Sequence, residues 1–150
     1  MRTRGHAPAA ERAAQSLALT GEWGAVWAGI ALTSGLLGDP AQRGSRFTAA
    51  LAVPLATLPN YAVKLAVRRA RPGPDDHPYL TPTVSRLSYP SAHATTSFLA
   101  ARLLSRSLSR APLYVLATAI AATRPYLGVH YPSDVVAGAA FGTALARFVR

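Results

Sequence analysis

The distribution of charge along the chain constrains its fold more than any other feature of the sequence. Long apolar stretches with almost no charge alternate with short segments in which the arginines cluster. No charged residue lies at positions 23–38, 111–123 or 135–146, and Lys64 is the only one at positions 48–67. Bilayer-spanning helices with basic flanks show this segregation.

The uncharged stretches predict an all-α, integral-membrane helical bundle with about five transmembrane helices. Residues 9–19 carry Ala, Leu and polar residues at helical spacing, which predicts a short amphipathic helix at the membrane surface. Several spans are shorter than the ~20 residues of a full crossing. A soluble helical bundle therefore stays open, because buried soluble helices also lack charges. The predicted spans are residues 23–38, 48–67, 91–104, 112–123 and 134–149.

Length, cysteine content and charge exclude several classes of protein. A chain of 150 residues suits one domain, so we expect a single membrane-embedded domain over residues 1–150, with a surface helix within residues 1–21. The absence of cysteine excludes disulfides and thiolate metal sites. The net charge of +10 also suits a nucleic-acid binder, but such proteins place basic residues along one face with aromatics between them. We therefore expect a multi-pass protein of the cell membrane with no nucleic-acid partner.

Two further features predict how the helices and loops are used. Residues 68–89 form a polar loop with four prolines, too long for a plain connection, so we expect it to cover or line something. Gly138 and Gly142 lie one turn apart, a small-residue spacing that allows close packing of helices.

Polar residues gather in three clusters, each at the end of an apolar segment. Several members also have a plain structural interpretation. Lys64 could be a lysine that reaches the headgroups, Arg71 a basic flank, and Ser91 the N-cap of a helix. The clusters are Lys64 followed after six residues by Arg71-Pro72; Pro90-Ser91-Ala92-His93; and Thr123-Arg124 followed by His130 and Asp134.

The two histidines sit where helices are predicted to begin. His93 lies in the first turn after Ser91, where free backbone N–H groups and the positive end of the helix dipole suit a phosphate. Pro132 places Asp134 in the first turn of the next helix, four residues after His130. Its carboxylate can then accept the Nδ1 proton of His130 and leave Nε2 free as a nucleophile.

Taken together, the clusters contain the parts that phosphoryl transfer needs. Such a site requires cationic donors around three phosphate oxygens, an in-line nucleophile and an acid for the leaving oxygen. Lys64, Arg71 and Arg124 supply the positive charge, and the two histidines supply the nucleophile and the acid.

In order and spacing, the clusters at 64–72, 90–93 and 123–134 resemble the three signature motifs of the type 2 phosphatidic acid phosphatase family. That family also includes bacterial acid phosphatases and vanadium haloperoxidases. The resemblance covers about half the chain. It implies phosphate binding by Lys64, Arg71, Ser91, Arg124 and the backbone N–H groups of Ala92 and His93.

The resemblance also assigns the chemical roles. It implies that His130 becomes phosphorylated, that His93 protonates the leaving alcohol, and that Asp134 orients His130. It implies a metal-independent hydrolysis with no cofactor. A metal site formed by His77, His93 and His130 is disfavoured, because the three cationic side chains would repel a metal ion.

The chain departs from the family pattern at two residues and in the number of predicted spans. Ala92 stands where the family usually has Gly and would be strained if the turn needs positive φ. Thr123 stands where the family usually has Ser. The family's membrane members commonly have six spans, so with five we expect the missing one at the N-terminus.

The expected substrate is a lipid phosphate ester. The Pro-Ser-Ala-His variant and the Leu-Gly-Val-His-Tyr-Pro-Ser-Asp run resemble the actinobacterial branch of the family that acts on decaprenyl-phosphoryl-phosphoribose in cell-wall arabinan synthesis. Undecaprenyl diphosphate and phosphatidylglycerophosphate are the alternative substrates. A vanadate-dependent haloperoxidase and a non-catalytic basic membrane protein are the alternatives outside the class.

Overall fold

The computed structural model describes residues 7–73 and 79–149, and the regular elements within these ranges are helices. An isolated antiparallel bridge pairs Ala70 with Leu87 in the long loop. The all-α prediction is therefore confirmed for the described residues. The helices are α1 Pro8–Thr20, α2 Ala25–Leu37, α3 Arg43–Leu55, α4 Thr57–Val67, α5 Ala92–Leu104, α6 Arg110–Tyr126 and α7 Pro132–Leu145, with short 3-10 turns at Glu22–Gly24 and Pro40–Gln42.

Helix α5 lies at the centre of the bundle and contacts α2, α3, α4, α6 and α7. Most of its residues are buried. Helix α7 packs directly on it because two glycines leave room for its backbone. A Cβ atom at Gly138 would lie 2.5 Å from the Ser91 carbonyl oxygen, and one at Gly142 would overlap the Thr95 carbonyl. The predicted close packing through these glycines is confirmed.

The main core lies between α2, α3, α5 and α6. Trp27, Val53, Leu99 and Ile120 are almost fully buried within it, and each such side chain contributes about 1.5–3 kcal/mol relative to exposure. The indole N–H of Trp27 donates to Ser97 Oγ at 2.9 Å. This bond gives the buried ring a polar partner and sets α2 against the central helix.

The predicted span 48–67 lies within the helical stretch of the structure and has its predicted end at Val67, but its start and its continuity differ from the prediction. The helical structure begins earlier, and α3 ends at Leu55 before α4 begins at Thr57. Pro59 has no N–H to donate to the Leu55 carbonyl, so the regular bonding pattern is interrupted there. With its 3-10 turn, the whole stretch Pro40–Val67 has 28 residues and is long and apolar enough to cross a bilayer, by length and composition alone; among the described residues it is the one such stretch.

The other predicted helices exist with shifted ends. α2 begins after the turn that holds Trp23, α5 keeps its predicted end at Leu104, α6 is longer than predicted at both ends, and α7 begins two residues earlier and ends four earlier. The loop after α4 carries no helix in its described part, and His77, named above as a disfavoured metal ligand, lies outside the described residues.

The N-terminal helix was predicted at residues 9–19 and is observed as α1. It packs against α6, and Gln15 Nε2 donates to the Leu80 carbonyl at 2.6 Å. A tight turn then leads into α2, with left-handed backbone at Trp23 (φ 52°) and Gly24 (φ 74°). The turn places residue 22 beside the first turn of α5.

Candidate active site

The three polar clusters, far apart in the sequence, meet at one cavity of about 360 Å³. One wall is polar and collects charged and histidine side chains from all three motifs. The mouth is apolar, and the side chains of Trp23, Leu58, Tyr61 and Val84 there are exposed. The long loop lines part of the cavity through residues 82–85, as predicted for it. The polar lining includes Lys64, Arg71, Ala92, His93, Arg124 and His130.

His130 and Asp134 are neighbours, as their spacing predicted. α7 begins at Pro132, so Asp134 lies in its first turn, where Oδ2 accepts from the Tyr131 N–H at 2.9 Å. The same oxygen lies 3.5 Å from His130 Nδ1, slightly beyond a normal hydrogen bond. Both side chains are buried, so the imidazole faces a fixed negative charge shielded from water.

The contacts of His130 also define its tautomer. Arg71 Nη1 lies 3.2 Å from His130 Nε2 and also donates to the Val129 carbonyl at 2.7 Å. A guanidinium can only donate, so Nε2 accepts and the ring proton lies on Nδ1, toward Asp134. Burial lowers the pKa of His130 to about 4, and Arg71 is among the groups that act in the same direction. In this tautomer the free lone pair of the neutral ring is on Nε2.

The start of α5 offers free hydrogen-bond donors. Ser91 occupies the predicted N-cap position, but its hydroxyl makes no capping bond. Ser91 Oγ is buried and has no hydrogen-bond partner among the described residues. A side-chain cap normally satisfies one of the first N–H groups of a helix. An anion at this position would provide that missing cap and a partner for the hydroxyl.

The Ala92 substitution is tolerated by the backbone. Ala92 is the first residue of α5, and the described non-glycine residues with positive φ are Trp23 and Arg68. The strain that a positive φ would have caused here is therefore absent, and the Ala92 N–H belongs to the first turn of α5, whose N–H groups have no partner within the helix.

Arg124 is placed at the cavity near the end of α6. The side chain is buried, and its Nε atom has no hydrogen-bond partner among the described residues. Buried charged donors are normally paired, so Arg124 fits an anion that enters the cavity. The preceding Thr123 bonds back to its own helix, donating from Oγ1 to the Ile120 carbonyl at 2.6 Å.

Lys64 lines the cavity, but its ammonium group is occupied. Lys64 Nζ donates to the carbonyls of Pro90 at 2.8 Å, Ser88 at 3.1 Å and Leu87 at 3.4 Å. The side chain is 5% exposed, so it does not extend to the headgroups. In this structure Lys64 holds the loop before Ser91 in place and adds positive charge to the wall of the cavity.

Sequence reasoning missed two charged residues at the site. The first is Arg69, whose Nη1 donates to Asp134 Oδ1 at 2.9 Å and to Ser133 Oγ at 2.8 Å. Its guanidinium also stacks 4.1 Å from the centre of the Tyr131 ring. No pattern in the sequence distinguishes Arg69 from the other arginines of the loop, because its partner lies on a distant helix.

The second missed residue is Glu22. Its Oε2 lies 3.3 Å from His93 Nε2, which also lies 3.1 Å from the Ala18 carbonyl oxygen. The sequence near His93 contains no carboxylate, so this partner was not foreseen. It comes from the turn between α1 and α2.

Comparisons with known proteins agree with this geometry. Residues 46–150 match the model of the PAP2 superfamily, so the Glu22 turn lies upstream of the matched segment. The decaprenylphosphoryl-5-phosphoribose phosphatase of Mycolicibacterium smegmatis is 40% identical over 125 residues, which cover 83% of this chain and 69% of that protein.

Two solved structures share the fold. The chain aligns with Aquifex aeolicus LpxE at a TM-score of 0.80 and 25% identity, over 97% of this chain and 87% of that one. It aligns with a transmembrane PAP2-type phosphatidylglycerolphosphate phosphatase from Bacillus subtilis at a TM-score of 0.57 and 21% identity, over 96% of this chain and 86% of that one.

Proposed function

We propose that this chain, which belongs to the PAP2 superfamily, hydrolyses the phosphate monoester of a polyprenyl-linked lipid through a phosphohistidine. It is a phosphoric monoester hydrolase, and the family prediction from its motifs is confirmed. One observation carries the proposal. His130 and the unpartnered Nε of Arg124 line one cavity whose mouth is apolar, and the unpartnered Oγ of Ser91 lies next in the chain to Ala92, which also lines it.

The first step transfers the phosphoryl group to the enzyme. Arg71, Arg124, Ser91 and the first N–H groups of α5 hold the phosphate oxygens, and Arg71 exchanges its contact with His130 for one with the phosphate. The lone pair of His130 Nε2 attacks phosphorus, and the bond from phosphorus to the leaving oxygen breaks. That oxygen keeps the electron pair and takes a proton from His93.

The second step releases inorganic phosphate. A water molecule attacks phosphorus, and His93 accepts its proton. The phosphorus–nitrogen bond breaks, and its electron pair returns to Nε2. Asp134 stabilises the positive ring of phosphorylated His130 in between, much as a buried carboxylate stabilises an imidazolium in a catalytic triad.

The lipid substrate is supported by the surface around the cavity. Exposed apolar side chains at the mouth suit a hydrocarbon chain lying beside a phosphate held in the polar wall. Leu51, Leu55 and Leu65 of the α3–α4 stretch are also exposed. Such an apolar surface suits contact with lipid rather than water.

The proposed topology has five spans with the site at one membrane face. The chain has no cysteine of its own. A single introduced cysteine therefore reports on which side of the membrane its loop lies, with no labelling at other positions. With five spans, Asp39→Cys and Ser109→Cys should react with an impermeant maleimide from one side, and Arg86→Cys from the other. Labelling of all three from the same side would exclude this topology.

The proposed substrate is decaprenylphosphoryl-5-phosphoribose, the compound in the name of the Mycolicibacterium relative. The test is phosphate release by the detergent-purified protein from this lipid, undecaprenyl diphosphate, phosphatidylglycerophosphate and phosphatidic acid. We expect the highest kcat/KM on the phosphoribosyl lipid. A preference for any of the other three would reassign the substrate, and hydrolysis of none would contradict the proposed function.

A further inference from the structure

We propose that Glu22 is a positioning residue for the leaving-group acid, pairing its carboxylate with the protonated ring of His93. The inference rests on the proposed function, because it concerns the acid of that reaction. It adds a residue upstream of the three motifs, which lies in the turn between α1 and α2.

The contacts of His93 support this pairing. A carbonyl oxygen can only accept a hydrogen bond, so His93 Nε2 carries its proton toward the Ala18 carbonyl at 3.1 Å and Glu22 Oε2 at 3.3 Å. The other ring nitrogen, Nδ1, is then the atom that exchanges a proton with the leaving oxygen. When Nδ1 is protonated the ring is a cation, and the Glu22 carboxylate is the negative charge beside it.

The charges around the cavity make such a partner necessary. Arg124 from α6, Arg71 from the long loop and the His130 ring all face His93. Burial away from water and neighbouring positive charge both act against protonation of an imidazole, yet the acid must hold a proton before each turnover. Glu22 offsets part of the positive charge of the two guanidinium groups.

The turn that carries Glu22 is built around the His93 ring. A Cβ atom at Gly21 would lie 3.1 Å from His93 Cδ2 and 2.7 Å from Ile120 Cγ2, so only glycine fits there. Trp23 adopts the left-handed region at φ 52°, which is costly for a bulky residue and persists only where the surroundings enforce it. Glu22 itself is 40% exposed, which gives the acid a route to protons from solvent.

The test compares two leaving groups. An alkyl phosphate needs a proton on its leaving oxygen, whereas p-nitrophenolate hardly does. Glu22→Gln should lower kcat on the alkyl phosphate by ~10- to 100-fold, less than the ~10²–10⁴-fold of the general acid itself, and by less than about threefold on p-nitrophenyl phosphate. The basic limb of its kcat/KM profile on the alkyl substrate should move to lower pH. Glu22→Asp should recover part of both effects.

The matched control is Gln15→Ala, which removes the bond from α1 to the Leu80 carbonyl without touching His93. This variant should have the wild-type ratio of kcat on the alkyl phosphate to kcat on p-nitrophenyl phosphate, and the wild-type pH profile. An unchanged ratio in Glu22→Gln, or the same altered ratio in Gln15→Ala, would overturn the inference. Wild-type protein and His130→Ala, assayed beside them, test the proposed function separately, since they report whether turnover depends on the nucleophile.

Discussion

Each histidine of the cavity faces a carboxylate, and the two pairs are built in opposite ways. Asp134 lies four positions after His130, is completely buried and is fixed by the Tyr131 N–H. Glu22 reaches His93 from the N-terminal segment and is 40% exposed. Asp134 is close to its histidine in the sequence and is shielded from water. Glu22 is far from its histidine in the sequence and is partly exposed to solvent.

The difference corresponds to the different tasks that we propose for the two rings. The nucleophile must not exchange its Nδ1 proton, and its ring becomes positive when phosphorylated, so a rigid buried carboxylate suits it. The acid must give and take a proton in every cycle, so a partner with access to water suits it. Substitutions should therefore affect the two pairs in distinguishable ways.

The largest effect should come from His130→Ala. Every substrate needs the nucleophile, so we expect kcat to fall by at least ~10⁴-fold on alkyl and nitrophenyl phosphates alike, the scale on which loss of a covalent nucleophile acts. Steady-state phosphate release measures this, with membrane extraction and thermal unfolding as checks of folding. Turnover near the wild-type level would remove His130 from this role.

The next effect should come from His93→Ala, and it should depend on the substrate. We expect a loss of ~10²–10⁴-fold on an alkyl phosphate, the range for a general acid, and a much smaller loss on p-nitrophenyl phosphate. The two kcat values from one protein preparation give the ratio. An equal loss on both substrates would indicate that His93 holds the phosphate instead of protonating the leaving group.

A smaller effect should follow from Arg69→Met, which acts on the buried pair. Removing the guanidinium from Asp134 leaves that carboxylate less firmly placed, so kcat should fall by about 3- to 10-fold, corresponding to roughly 1 kcal/mol. Both substrates should be affected equally. Arg86→Met, an exposed arginine of the same loop, is the control and should retain wild-type kcat. A loss confined to the alkyl substrate would link Arg69 to the acid.

Removal of divalent metal ions by a chelator should not change turnover. Arg71, Arg124 and Lys64 supply the positive charge that a metal ion provides in other phosphatases. Activity should therefore persist in excess EDTA, measured after dialysis against the chelator. Activity lost to EDTA and restored by Mg²⁺ or Zn²⁺ would contradict the metal-independent mechanism.

The same comparison explains what the sequence could predict. The contact between His130 and Asp134 follows from helical spacing after Pro132, so it was predictable from neighbouring residues alone. The contact between Glu22 and His93 depends on how α1 packs against α6, which no local pattern encodes. Arg69 was missed for the same reason, because its partner lies on α7.

The division of the predicted span 48–67 into two helices was also not predicted. A packed membrane helix tolerates proline, so residues 48–67 were predicted as one span, yet the missing N–H of Pro59 coincides with the break between α3 and α4. The family resemblance identified the phosphatase class, which the comparisons confirm, while the roles of individual site residues remain predictions.

The central claim is that His130 becomes phosphorylated, and trapping the intermediate tests it most directly. Detergent-purified protein is mixed with a ³²P-labelled lipid phosphate, quenched within one turnover under alkaline denaturing conditions and digested. The account predicts an alkali-stable, acid-labile label on the peptide that contains His130, absent in His130→Ala. Label on any other residue, or turnover with no label on the protein at any quench time, would contradict it.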